Sequence, residues 1–498
     1  MELKIKLLNW STGFPVVMLN EKTAEKLGIY SKDRIFIKTL SKNKASQKIS
    51  SIVDTIEDLI TEKELAVSSE LQKALNLKKG QRVDISLAPM SKSLTYIKKK
   101  LDGKELSRKE LEEIINDLVK NSLSEAEMAL FISAMYRNGT TMKETISLIY
   151  AIEESGNTIK WKKGIVADKH SIGGIPGNRT TPLVVSICVA GGLIVPKTSS
   201  RAITTAAGTA DVLETITRVE FSIPELKKII NKTGGCMVWG GGLGIVPADD
   251  KIIKIEKILE IDPEAQLLAS IMGKKLSMGA KYILIDIPYG KNTKVSRSQA
   301  LKLKKKFEYI GRYFHKKMDV VLTGGSQPIG NGVGPSLELM DIVKILKREN
   351  SGENYPLDLE KKSLFLAGQI FEMTGKAKKG KGIELAKRIL DSGKAFEKFK
   401  EIIEAQGGDI KRLRYGKLKK TILASGSGKI KEINNKDINS LARVTGCPAN
   451  KFSGIYLYHH VGDKITKGDK LLDIYSDSKA MLQEAVKFYN EQKPISIK

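Results

Sequence analysis

The chain has 498 residues, 41% of them hydrophobic and 28% charged, with 84 lysines and arginines against 57 acidic residues and a formal net charge of +27. Single cores stop growing at about 250–300 residues, so this length requires several domains, and the aliphatic content excludes a disordered chain. The longest apolar run, Leu183 to Val195, is interrupted by Ser186, Gly191 and Gly192 and falls short of the ~20 residues of a membrane span. Met1 to Lys6 alternates charge with aliphatics and lacks a signal-peptide core, so no membrane association and a cytoplasmic location are expected. Cys188, Cys236 and Cys447 supply neither a disulfide framework nor a zinc spacing. The lysines are dispersed beside glutamates, as at Lys109-Glu110 and Glu397-Lys398, without a basic stretch interleaved with aromatics. That pattern argues against nucleic acid and for a positive field that favours small anions such as phosphates.

Residues 1–88 contain a repeat. Asn20 to Ile37 (NEKTAEKLGIYSKDRIFI) aligns with Ser68 to Ile85 (SSELQKALNLKKGQRVDI), matching Leu27 with Leu75, Ile29 with Leu77, Arg34 with Arg82 and Ile37 with Ile85. Each half reads as a short helix, a turn and an alternating strand, and neither can bury its apolar face alone, so an interlocked small β-barrel is expected. Residues 92–162, joined by 249–279, read as a helical domain. Ser107 with Glu110 is a capping box, and Leu111, Ile114, Ile115 and Leu118 follow helical spacing. Residues 164–240 and 281–408 alternate strands (Met237–Trp239, Tyr282–Ile287, Val320–Leu322) with helices, which predicts an α/β phosphate-binding domain with a mixed sheet. Residues 409–498 read as a C-terminal α+β domain of hammerhead type. Leu418 to Val444 and Gly454 to Tyr475 look strand-like, with turns at Gly462-Asp463 and Gly468-Asp469.

Three segments carry candidate chemistry. Asp168 to Thr181 (DKHSIGGIPGNRTT) follows a strand and precedes a helix. Its glycines allow close backbone approach to an anion, with Lys169 adding charge and Ser171 a hydroxyl. It is neither a Walker loop nor a dinucleotide fingerprint. Lys197 to Glu214 (KTSSRAITTAAGTADVLE) is dense in hydroxyls around Arg201, as suits phosphate and sugar oxygens, although a polar loop capping a helix would look the same. Asp262 to Lys275 (DPEAQLLASIMGKK) opens on a residue suited to a helix N-cap, with Ser270 and Lys274 four apart on one face.

Taken together, these segments resemble thymidine and pyrimidine-nucleoside phosphorylases. Ser199 to Glu214 matches the family signature. Lys169-His170-Ser171 with Gly173-Gly174 matches its phosphate loop, Ala269 to Lys275 its base-contacting helix, and Gln327 to Gly330 a further shared segment. The resemblance covers roughly residues 95–490. Two features depart from the thymidine enzymes: the additional N-terminal domain, and no pyrimidine-contacting arginine near Ile255-Glu256. Both are similar to an archaeal branch of the family that acts on nucleoside 5′-monophosphates, and this similarity runs end to end. It implies phosphorolysis of AMP to adenine and ribose 1,5-bisphosphate, with Asp262 as the proton donor. Substrate contacts are implied at Gly174, Ser200, Arg201, Ala202, Ile203, Thr204, Thr205, Thr209, Ser270 and Lys294, with Lys291 an alternative to Lys294. Phosphate contacts are implied at Lys169, His170, Ser171 and Ser199. No metal or organic cofactor is implied, and at least a homodimer is. A thymidine or pyrimidine-nucleoside phosphorylase is the alternative reading, and base preference among AMP, GMP, CMP and UMP is open. A phosphoribosyltransferase would need magnesium, for which the sequence offers no convincing Asp/Glu pair.

Overall fold

The computed structural model describes residues 1–40, 48–88, 91–161, 163–203, 205–349 and 354–498. The first elements are β1 (Glu2–Leu7), β2 (Val16–Asn20), α1 (Glu21–Leu27), β3 (Arg34–Thr39), β4 (Lys48–Ile56), β5 (Glu64–Val67), α2 (Ser69–Leu75) and β6 (Arg82–Leu87). The strands close into a barrel of order β1-β5-β2-β4-β3-β6. Exchanging β1 with β4, β2 with β5 and β3 with β6 maps this pairing onto itself, so the sequence repeat is an interlocked structural one. Asn20 and Ser68 cap equivalent helices, which end in left-handed residues at Gly28 and Asn76. Period-two positions such as Leu3, Ile5, Val17, Leu19, Ile35 and Ile37 fill the interior.

Four helices follow: α3 (Lys92–Leu101), α4 (Arg108–Val119), α5 (Glu125–Asn138) and α6 (Met142–Glu154). The Ser107–Glu110 capping box forms, and equivalent boxes at Ser124–Glu127 and Thr141–Glu144 start α5 and α6. Leu111, Ile114, Ile115 and Leu118 make up the buried stripe of α4. A buried ion pair, Lys100–Glu144 at 2.8 Å, ties α3 to α6.

The chain continues through β7 (Ala167–Ser171), α7 (Thr180–Ala190), β8 (Val195–Ser199), α8 (Thr209–Leu213), α9 (Ile223–Thr233), β9 (Gly235–Trp239), α10 (Pro247–Leu259), α11 (Glu264–Ser277), β10 (Tyr282–Tyr289), α12 (Arg297–Tyr313) and β11 (Lys317–Gly324). Strands β11-β10-β7 form one sheet and β8-β9 another, and a parallel bridge between Val166 and Ile194 continues the first into the second. The mixed sheet expected from sequence is instead parallel at every strand pair among the described residues of this region. The reason is connectivity: α7, α9 and α12 each lie between consecutive parallel strands and return the chain in the same direction. Ile283, Leu284, Ile285 and Ile287 of β10 are fully buried, as a strand covered on both faces requires.

The remaining elements are β12 (Gly332–Val333), α13 (Pro335–Leu346), α14 (Leu357–Met373), α15 (Gly382–Asp391), α16 (Lys394–Ala405), β13 (Leu418–Leu423), β14 (Gly428–Ile433), α17 (Asn435–Val444), β15 (Gly454–Leu457), β16 (Lys464–Ile465), β17 (Lys470–Ser476), α18 (Lys479–Gln492) and β18 (Ile495–Ile497). The strand-like reading of Leu418 to Val444 fails beyond Ile433. The Asn434 side chain accepts from the amides of Lys436 and Asp437, and Ile438, Leu441 and Ala442 are buried at helical spacing. By contacts the chain divides into two compact units, one of residues 1–156 and 246–273 and the other of 157–245 and 274–498. No helix among the described residues is long and apolar enough to cross a membrane.

Candidate active site

Ser171 and Ser199 are the last residues of β7 and β8, at the carboxyl ends where parallel α/β sheets bind ligands. Ser171 Oγ, Thr198 Oγ1 and Ser199 Oγ are shielded from solvent and have no protein hydrogen-bond partner among the described residues. A buried hydroxyl without a partner costs about 1–3 kcal/mol, so Ser171 and Ser199 at the two strand ends are each suited to a ligand oxygen, whereas Thr198, one residue earlier on β8, faces the other side of its sheet. The glycine-rich loop leaves β7 with Gly173 and Gly174 at φ of +84° and +94°. A Cβ on Gly174 would stand 3.0 Å from Lys294 Cγ, so the bare glycine is what lets that side chain lie against the loop. Farther along, the Pro176 carbonyl accepts from the Ile329 amide, which joins the Gln327–Gly330 segment to the loop.

Buried amines lie on β7, β8, α11 and α14, as Lys169, Lys197, Lys275 and Lys362. Lys275 Nζ meets Asp168 Oδ2 at 2.6 Å, and Lys197 Nζ stands 3.9 Å from the other oxygen of the same carboxylate. Lys169 Nζ donates to Thr180 Oγ1 at 2.6 Å. Asp286 receives the Thr323 hydroxyl at 2.6 Å and pairs with Lys362 at 3.2 Å. Burial pulls the Lys169 amine down to about 7, helped by Lys362 and Arg179 and opposed by Asp286 and Asp168. Burial, together with Lys275, pushes Lys197 well below the ordinary lysine range, and it donates to the Thr198 carbonyl. His170 is also driven well down, first by burial and then by Lys275, Lys197, Lys274 and Lys169, so its ring is neutral.

The second loop is rigidly held. Arg201 pairs with Glu214 at 2.7 Å, Glu220 at 3.0 Å and Asp211 at 3.4 Å, and stacks 4.7 Å from the Trp239 ring centre. Its guanidinium is therefore paired with carboxylates in this structure. Asp211 accepts from the amides of Ala202 and Gly208. A Cβ on Gly208 would lie 2.4 Å from the Ser200 carbonyl oxygen, so the loop closes only on glycine. Arg443 of α17 donates to the carbonyls of Ile203 and Thr205, Asn439 accepts from the Ala206 amide, and the Thr205 hydroxyl turns to the Ala207 carbonyl. Thr204 lies outside the described residues.

Lys169, His170, Ser171, Gly174, Ser199–Ile203, Thr205, Thr209 and Lys294 belong to the second compact unit, and Asp262 and Ser270 to the first. Asp262 is exposed, two residues before α11, and Ser270 is half-buried on that helix. Lys291, the alternative to Lys294, pairs with Glu432 at 2.7 Å on the surface, while Lys294 lies against Gly174. Sequence reasoning assigned no function to Arg179, Lys197, Asp211, Lys275, Asn439 or Arg443. The first four sit within the quoted motifs or next to them. Asn439 and Arg443 gave no local signal.

A glycine-rich strand–loop–helix with hydroxyls and lysines gathered at the ends of parallel strands defines an anion-handling α/β transferase. The chain matches "Glycosyl transferase family, helical bundle domain" over residues 94–156, "Glycosyl transferase family, a/b domain" over 163–396 and "Pyrimidine nucleoside phosphorylase C-terminal domain" over 429–496. An AMP phosphorylase of Pyrococcus horikoshii is 43% identical over 502 aligned positions, covering 100% of this chain and 98% of the relative. One from Thermococcus kodakarensis is 41% identical with the same coverage, and one from Methanococcus vannielii is 38% identical, covering 99% and 97%. The chain belongs to the AMP phosphorylase family. An anthranilate phosphoribosyltransferase from Thermus thermophilus shares the fold, with a TM-score of 0.52 at 19% identity over 62% of this chain and 99% of that one.

Proposed function

We infer that the protein phosphorolyses AMP, joining phosphate to ribose C1′ as the C1′–N9 bond breaks and releasing adenine and ribose 1,5-bisphosphate. The observation that carries this reading is the partnerless hydroxyls of Ser171 and Ser199 at the ends of parallel strands that also carry the buried amines of Lys169 and Lys197, in a chain alike from end to end to AMP phosphorylases. An oxocarbenium-like transition state needs the phosphate nucleophile held in line, which is a positioning task. Lys169, Ser171, Ser199 and Thr209 take that role, with neutral His170 as a hydrogen-bonding group. Gly174, Ser200–Thr205, Ser270 and Lys294 serve the nucleotide. Among these, Lys294 is the side-chain cation for the 5′-phosphate, and Arg201 acts through the rigidity it gives the loop. The electron pair of the breaking bond goes to adenine, and Asp262 delivers a proton to N7.

We read the working divisions as a barrel at 1–88, a helical domain at 92–162 with 249–279, a phosphate-binding domain at 164–240 with 281–408, and a structural hammerhead-like domain at 409–498. A homodimer and a cytoplasmic location, where nucleotides are available, complete the reading. The test is release of free base in the presence and absence of phosphate, with AMP, GMP, CMP, UMP, adenosine and thymidine as substrates. Phosphate-dependent release from AMP but not adenosine supports the proposal, and the reverse preference would assign the chain to nucleoside phosphorolysis. Asp262→Asn is expected to lower kcat far more than it raises KM for AMP.

A further inference from the structure

Arg179 precedes α7 and links the two loops that carry the phosphate contacts. Its Nη1 donates to Thr209 Oγ1 at 2.9 Å and its Nη2 to the Ala207 carbonyl at 2.6 Å, while Nε donates to Glu338 at 2.7 Å. The arginine side chain is 12% exposed and that of Glu338 1%. Burial raises the Glu338 carboxyl, whereas Arg179 and the Gly334 amide pull it down, so the guanidinium is the group that favours its charged form. Three of the five guanidinium N–H groups, one on each nitrogen, are thus engaged within the protein, which fixes the plane of the group.

We propose that Arg179 is a positioning residue for the phosphate nucleophile, acting through the Thr209 hydroxyl. A threonine hydroxyl has one proton and two lone pairs. By donating to Oγ1, Arg179 occupies a lone pair and biases the remaining O–H outward as a donor. A donor is what a phosphate oxygen requires. The neighbouring Nη2 bond fixes the Ala207 carbonyl, and with it the backbone immediately before Thr209. Glu338 anchors the other side of the fork, so the direction of the donor is set by a bidentate, planar group rather than by a flexible ammonium. The arginine follows β7 and the hydroxyl follows β8, so the contact ties together the segments that leave the two strands.

This inference rests on the phosphorolysis reading, and the experiment separates the two. Steady-state kinetics with AMP and phosphate varied independently are compared for wild type, Arg179→Lys, Arg179→Gln, Thr209→Val and the Arg179→Gln/Thr209→Val double variant, with thermal unfolding of each. Arg179→Gln is expected to raise KM for phosphate about tenfold or more while moving KM for AMP less than threefold. Arg179→Lys should rescue little, because lysine lacks the fork. In the double variant the two effects should be strongly non-additive. Additive effects, or equal changes in both KM values that track the loss of Tm, would reduce Arg179 to a scaffold residue and overturn the proposal. A wild type without phosphate-dependent base release would instead overturn the functional reading beneath it.

Discussion

Phosphate binding should take up a proton through Lys169. This amine is 3% exposed, and burial sets it at about 7, so its charge is present below that pH and lost as pH rises through it. At pH 8 it is about nine-tenths neutral in the free protein, and restoring the charge costs about 1.4 kcal/mol per pH unit above 7. An arriving phosphate anion favours the charged form, so binding at pH 8 should draw in up to about 0.9 proton beyond any taken up by phosphate itself. Lys169→Met removes the group with little change in bulk and supplies the baseline. Isothermal titration of phosphate in two buffers of different ionisation enthalpy measures the uptake directly. The affinity advantage of wild type over Lys169→Met should also shrink about tenfold per unit between pH 7.5 and 9. Equal proton uptake by both proteins, or an advantage that does not change with pH, would refute the assignment of Lys169 as a titrating phosphate ligand.

Other predictions follow from the same contacts. Lys294→Ala should raise KM for AMP about tenfold and leave KM for the co-substrate phosphate nearly unchanged, while Lys291→Ala, which removes an exposed ion pair with Glu432, should change either by less than threefold. Asp168→Asn leaves the buried Lys275 amine without its carboxylate. It should destabilise the protein by about 3–5 kcal/mol, read as a fall in Tm or loss of soluble protein, and a Tm within a degree of wild type would contradict the buried pairing. Gly208→Ala should abolish turnover without unfolding the α/β core, checked by kinetics alongside circular dichroism, because the added methyl meets the Ser200 carbonyl.

Much of the fold was legible because its determinants are local. The capping boxes at Ser107 and Ser124 need only four consecutive residues, and the barrel announced itself through paired helix starts and left-handed turns at equal spacing. The error at Asn435–Val444 came from extending a strand through a helix signal that was present: a capping asparagine followed by Ile438, Leu441 and Ala442. Strand direction in the α/β sheet depends on whether each connection crosses back over the sheet or turns as a hairpin, which composition does not record. The glycine-rich loop after β7 was legible as a strand–loop–helix because glycine, lysine and serine cluster within a few positions, whereas a phosphate role for Lys169, His170 and Ser171 came from the family resemblance. The Lys291–Lys294 ambiguity could not be settled locally, since both lie in one short polar turn. The surface contact of the first with Glu432 and the packing of the second on Gly174 distinguish them.

The buried charges were the least legible part, because their partners are far apart in sequence: Asp168 of β7 meets Lys275 of α11, 107 positions away, and Asp286 of β10 meets Lys362 of α14. Their arithmetic explains why the site calls for an anion. Lys169, Lys197, Lys275 and Lys362 supply four buried amines against two carboxylates, Asp168 and Asp286. Desolvation resolves that excess in the protein alone by depressing Lys169 and Lys197 rather than by recruiting further acids. A phosphate at the ends of β7 and β8 brings the negative charge that two carboxylates do not supply, and it can recharge Lys169 at modest cost near neutral pH. On the proposed reading, a site built with a third carboxylate in place of that deficit would be better compensated when empty and a poorer receptor for phosphate, so the shortage of acid would favour an anionic nucleophile over water.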